Sequence, residues 1–143
     1  MAQFNFACSF LKVGDGTEII KCRDLPELLS WPANGETMED WARYAVEDCI
    51  AFRIKDGEKI PTASPAEKDE FVVRLSTVQE AKILLHNAMV DDGVSRSELA
   101  RKAGMQLPDV TRLLNLRHKT KIDTIREVMN FLGKDIEIRT VTI

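Results

Sequence analysis

The chain has 143 residues, 44% hydrophobic and 30% charged, which suits one ordinary domain or two small ones with a buried core. Its formal net charge is -3, no apolar run approaches the roughly 20 residues that span a bilayer, and no basic leader precedes an apolar segment, so neither a membrane protein nor a signal peptide is expected. Cys8, Cys22 and Cys49 are widely spaced, form no CxxC pair, and read as small buried residues of a cytoplasmic protein.

Phe4, Phe6, Cys8 and Phe10 alternate with Asn5, Ala7 and Ser9, the period of a strand. Val13-Gly14-Asp15-Gly16 is a turn, and Thr17–Cys22 supplies the second arm of a hairpin. Residues 23–35, with Pro26, Pro32 and Asn34-Gly35, read as a loop. Thr37 can cap a helix that buries Trp41, Ala42, Ala45, Val46, Cys49 and Ile50, and Gly57 and Pro61 end it. After the polar stretch 62–69, Glu70–Leu75 returns to strand character, and the domain boundary is placed just after Leu75.

The second half is dense in helix punctuation. Ser76 and Gln79 form a capping box before Val78, Ala81, Leu84, Leu85 and Ala88, and Gly93 stops that helix. Ser95 and Glu98 form another box, with Val94 and Leu99 at the positions of a hydrophobic staple, and Gly104 ends this short helix. A further helix starts near Gln106, where Pro108 and Asp109 suit the first turn. Thr120 and Asp123 predict a third box ahead of Ile122, Ile125, Val128, Met129 and Leu132. The alternating Asp135–Ile143 predicts a terminal strand, expected to pair with its copy in a second subunit.

Charge divides along the same line. Residues 1–75 carry 9 basic against 14 acidic side chains, and residues 76–143 carry 11 against 9. Within 93–121, seven basic residues face only Glu98 and Asp109. The acidic half cannot hold nucleic acid by bulk charge and suits a basic protein partner; the local basic segment can bind DNA. Two short helices joined through Ala103-Gly104-Met105 form a helix-turn-helix pattern, in which the start of the second helix meets base edges. That places Gln106, Leu107, Pro108, Asp109 and Arg112 at the reading end. Gln matches adenine, Arg guanine or phosphate, Leu a thymine methyl, and Asp a cytosine amino group. Arg117, Lys119, Thr120 and Lys121 suit backbone phosphates.

Catalysis finds little support. His86 and His118 lie 32 residues apart without cysteine or carboxylate at ligand spacing, and there is no phosphate-cradling glycine loop or nucleophile elbow. The expectation is a protein that is not an enzyme, with no catalytic residue, metal or cofactor.

Residues 93–133 resemble the phage-repressor (XRE) type of helix-turn-helix, through Ser95-x-x-Glu98-Leu99-Ala100, Gly104, Val110-Thr111-Arg112 and Leu132-Gly133. The first half resembles the HicB antitoxin domain. The matching features are the aromatic first strand, Gly14-Asp15-Gly16, Asp24-Leu25-Pro26, Gly35-Glu36-Thr37, and Gly57 through Ile60-Pro61 ahead of Ser64-Pro65. The chain departs from that pattern with Glu27 in place of a frequent glycine and with extra residues around Trp31-Pro32. The resemblance implies an α+β protein: a partial ribonuclease-H-like domain over 1–75 without activity, then an all-α helix-turn-helix domain with a terminal strand over 76–143. It implies an antitoxin that masks a small basic RNA-cleaving toxin of the HicA type and represses its own operon as a dimer or larger oligomer. Glu18, Asp24 and Glu27 are the candidates for meeting that toxin. The competing reading is a stand-alone repressor whose first half senses a small ligand.

Overall fold

The computed structural model describes residues 3–31 and 37–143; the turn residues Pro32 and Asn34 and the Gly35-Glu36 part of the helix start lie outside the described residues. Two compact units emerge. One joins residues 1–53 to 61–75, the other joins 54–60 to 76–143.

In the first unit, β1 (Phe6–Lys12) pairs antiparallel with β2 (Glu18–Cys22) and with β3 (Phe71–Val73), giving the order β2-β1-β3. The hairpin turn is closed by Val13 N–H on the Thr17 carbonyl at 2.9 Å and by Thr17 N–H on the Asp15 carboxylate at 2.9 Å. Gly16 takes φ 87°, a left-handed conformation that glycine adopts without a Cβ penalty. The alternation predicted for β1 holds for its aromatic face but not for its burial. Phe6, Ala7 and Cys8 are all buried, because β1 is the central strand and both its faces are covered at that end. β3 is shorter than the predicted Glu70–Leu75, since it pairs only opposite Phe6, Ala7 and Cys8.

Helix α1 (Met38–Lys55) starts where Thr37 Oγ1 accepts the Asp40 N–H at 3.1 Å. Its predicted inner face, Trp41, Ala42, Ala45, Val46, Cys49 and Ile50, is buried. Phe10 stacks on Phe71 at 4.7 Å between ring centroids and lies 5.5 Å from Trp41, whose indole N–H donates to Ser30 Oγ at 3.0 Å. All three cysteines are free and buried. Contact with Cys22 and burial hold the Cys8 thiol well above its ordinary range, and burial pushes Cys49 up to about 12, so both stay neutral and behave as apolar packing.

The second unit carries α2 (Thr77–Asp92), α3 (Arg96–Ala103), α4 (Leu107–Leu113) and α5 (Ile122–Asn130). The box at Ser76 forms in both directions: Gln79 N–H donates to Ser76 Oγ at 3.1 Å, and Ser76 N–H donates to Gln79 Oε1 at 3.0 Å. At Ser95 half of the expected box forms. Glu98 N–H donates to Ser95 Oγ at 3.1 Å, but the Glu98 carboxylate takes the Ser95 hydroxyl instead of its backbone N–H. Gly93 and Gly104 end α2 and α3 in left-handed conformations, with Val94 and Met105 donating back to Met89 and Ala100 as Schellman ends require. The box expected at Thr120 is absent. Helix α5 begins one residue later, its N-cap is Lys121, and lysine offers no acceptor to the first turn.

The predicted strand Asp135–Ile143 does not form within one chain, because a strand needs a neighbouring strand and none lies beside it. Its root is held firmly all the same. Arg126 grips the Asp135 carboxylate through two nitrogens at 2.8 and 3.1 Å, and Ile136 is buried. Beyond that root Ile138 and Val141 are 68% and 61% exposed. The layout is therefore mixed α+β: a three-stranded antiparallel sheet with α1, followed by helices. Among the described residues, no helix is long and apolar enough to cross a membrane.

Candidate functional site

Helices α3 and α4 are joined by Gly104, Met105 and Gln106 and meet over an apolar joint. Leu99, Ala100, Val110, Leu113 and Leu114 are buried. With its inner face anchored, α4 turns Gln106, Leu107, Pro108, Asp109, Thr111 and Arg112 to solvent. All five predicted reading-end residues are thus exposed. Gln106 is the N-cap and makes no side-chain cap bond, so its amide is not committed to the helix start. Asp109, awkward for a DNA-facing turn, has a local role: its carboxylate accepts from Arg112 Nη1 at 2.7 Å, one turn along the helix. The pair neutralises the acid nearest the reading end. Arg117, Lys119 and Lys121 are exposed on the following loop, and Thr120 is half-buried there.

Two polar side chains of α2 are buried: Lys82 reaches the end of α4, and His86 reaches the segment that precedes Ile60. Lys82 is fully buried, and its ammonium donates to carbonyls just beyond and within the end of α4. His86 is buried, and its Nε2 lies 2.6 Å from the Glu58 carbonyl, so that nitrogen carries the proton, since a carbonyl only accepts. Asn87 binds the N–H and C=O of Ile60 at 2.8 and 2.9 Å. Together they tie residues 58–60 to α2. The one available signal for Lys82 was its spacing: Val78, Lys82, Leu85 and Met89 fall on one helical face, where a lysine is out of place unless its charge is met.

Burial holds the His86 imidazole below its ordinary value of 6.5. As pH falls, the unfolded chain takes up the proton before the folded one does. The contribution of neutral His86 is therefore intact above about pH 6.5 and is lost as pH drops through the folded-state value. His86→Gln, whose amide can still donate to Glu58, should give a flatter melting-temperature profile between about pH 7 and pH 5 than wild type. Parallel profiles in differential scanning calorimetry would remove His86 from the acid response.

In the first unit the three acidic candidates part company. Glu18 is half-buried at the start of β2, opposite Lys12. Asp24 faces inward along the loop: Ser64 N–H and Oγ donate to its two oxygens at 2.7 and 2.8 Å. Glu27 receives Arg53 through Nε at 2.9 Å and Nη2 at 2.8 Å, and Cys49 Sγ at 3.2 Å. Burial works against its charge, but these partners outweigh it and hold the carboxyl below its ordinary value. Asp24 and Glu27 thus each carry a structural load that their sequence positions did not disclose. Among the described residues, no group of three or more His, Cys, Asp or Glu side chains could hold a metal ion.

A family model described as HicB_like antitoxin of bacterial toxin-antitoxin system matches residues 9–84. Similar proteins include Antitoxin HicB of Pseudomonas fluorescens (strain Pf0-1), 34% identical over 125 residues, covering 85% of this chain and 84% of that protein. Antitoxin HicB of Escherichia coli (strain K12) is 32% identical over 128 residues, covering 87% and 90%. Antitoxin HicB 2 of Photorhabdus laumondii subsp. laumondii is 37% identical over 118 residues, covering 80% and 81%. Alignments of this length cannot fit within the first 75 residues, so these relatives share much of the helical part as well.

Proposed function

The chain belongs to the HicB-like antitoxin family of bacterial toxin-antitoxin systems, and on that premise we propose that it neutralises a small basic RNA-cleaving toxin of the HicA type by direct binding and represses its own operon. It acts in the cytoplasm, without catalysing a reaction itself. The toxin-binding role falls to the first 75 residues apart from 54–60, which join the helical unit, and the DNA-binding role falls to residues 76–143. The observation that carries the operator half is the exposed face of α4, with Gln106, Leu107, Pro108, Asp109 and Arg112 presented on a buried apolar joint and a basic loop following. Arg117, Lys119, Thr120 and Lys121 hold phosphates. For the toxin half, Glu18 is the acidic contact we retain, since Asp24 and Glu27 are engaged within their own unit. The tail supplies dimerisation: Ile138, Val141 and Ile143 are exposed apolar side chains on a segment with no partner strand among the described residues of its own chain, and a second tail would supply that partner.

Co-expression with the reading frames that flank its own, affinity purification and light scattering would test these points together. The expected product is a stable complex containing two copies of this chain. Failure of any small basic protein to co-purify would remove the neutralising role and favour the stand-alone repressor. A mass corresponding to one copy at micromolar concentration would remove the tail pairing.

A further inference from the structure

A completely buried ammonium is costly unless each of its protons is matched. Lys82 meets that condition: Nζ donates to the carbonyls of Arg112 at 3.0 Å, Asn115 at 2.7 Å and His118 at 2.8 Å. Three donors thus meet three acceptors. The acceptors are three residues apart, and the backbone links them in the same steps, Asn115 N–H to the Arg112 carbonyl and His118 N–H to the Asn115 carbonyl, each at 3.2 Å. Two successive turns aim their carbonyls at one point, and the ammonium occupies it. The same turns carry the side chains of Arg112, Arg117, His118 and Lys119 on exposed positions.

We propose that Lys82 is a positioning residue for DNA contact, a buried tripod that fixes the turns from Arg112 to His118 so that the end of α4 and the basic loop meet the duplex as one rigid surface. The inference rests on the operator-binding reading. A core filler does not account for the observation, because methionine would occupy a similar volume with no charge to bury and no carbonyl to meet. Nor does a general attraction to DNA, because the ammonium faces inward and has no exposed surface. Burial lowers its proton affinity to about 8, which leaves the charged, three-donor form predominant at neutral pH.

The test uses the full chain, a duplex of the DNA upstream of its own reading frame, and two variants. Affinity is read by fluorescence anisotropy at a temperature where circular dichroism shows each variant folded, so that a plain stability loss does not enter. Lys82→Met should bind about 10- to 100-fold more weakly per folded molecule. Lys82→Arg keeps the charge, but its planar fork cannot converge on three carbonyls; it should fold and bind about 3- to 10-fold more weakly. Backbone amide shifts of Asn115 and His118 should move in the same order, Arg less than Met. Wild-type affinity in the folded variants overturns the proposal, and if Lys82→Met does not fold, Lys82→Arg alone decides it. A wild-type protein that does not bind the duplex overturns the operator reading instead, while the amide shifts still report whether Lys82 holds the loop.

Discussion

Replacing Leu99 with alanine is expected to lower the melting temperature of the helical unit by about 10–40 °C. Leu99 is fully buried where α3 turns onto α4, beside a core that includes Val110, also fully buried, and Leu113. Truncating a core leucine costs about 2–5 kcal/mol, the upper part of that range applying where neighbours cannot close the gap. The neighbouring Ala100 has no side chain long enough to reach into it. A unit of about 75 residues loses about 4–8 °C for each kcal/mol. Leu107→Ala makes a sharp control. Leu107 lies on the outer face of α4 with 46% of its surface exposed, so its loss should change stability by about 0.5 kcal/mol or less. Calorimetry on the two variants decides the matter: a similar, small shift for both would mean that the α3–α4 joint is not the core of this unit.

Arg112→Ala should weaken binding to the upstream duplex by about 1–3 kcal/mol if its guanidinium reads a base. In the free protein that guanidinium is held by Asp109 at 2.7 Å, with about half of each side chain exposed. Exposed pairs of this kind contribute only about 0–1 kcal/mol, so DNA can exchange the carboxylate for a base edge or phosphate at small cost. The acid then stands close to the phosphate backbone without its partner. Asp109→Asn should therefore tighten binding to a random duplex by a few-fold while Arg112→Ala loosens binding to the upstream one. Anisotropy titrations at one fixed salt concentration read both effects. Unchanged affinity in Arg112→Ala would take Arg112 out of the recognition surface.

These expectations rest on structure that was unevenly legible beforehand. The ends of α2 and α3 could be read directly, because a Schellman glycine or a serine cap acts within about five residues of chain, and Ser76, Gly93, Ser95 and Gly104 carry all of that chemistry locally. The inner face of α1 was legible for a similar reason, its period being set by one helix. Lys82 was not, since what makes its burial tolerable lies 30 to 36 residues away in the carbonyls it meets. Asp24 and Glu27 fail in the same manner. An acid looks identical in sequence whether it faces water or a partner 40 residues on, as Ser64 is from Asp24. Thr120 shows the opposite error. A good capping pattern was present, but the helix begins one residue beyond it. The terminal segment has strand periodicity and no partner in its own chain, and periodicity alone carries no information about who supplies the neighbouring edge.

The excursion of residues 54–60 into the helical unit bears on how such proteins can be cut and recombined. A split at Leu75 looks clean on a sequence map, yet it strips the helical fragment of Ile60, which is buried, and of the backbone groups that His86 and Asn87 bind. The fragment 76–143 would begin life with an orphaned amide and imidazole on its longest helix. Exchanging the helical parts of relatives by a single crossover at that point would therefore hand each recipient a mismatched seam, unless the incoming helix and the donor's 54–60 segment travel together.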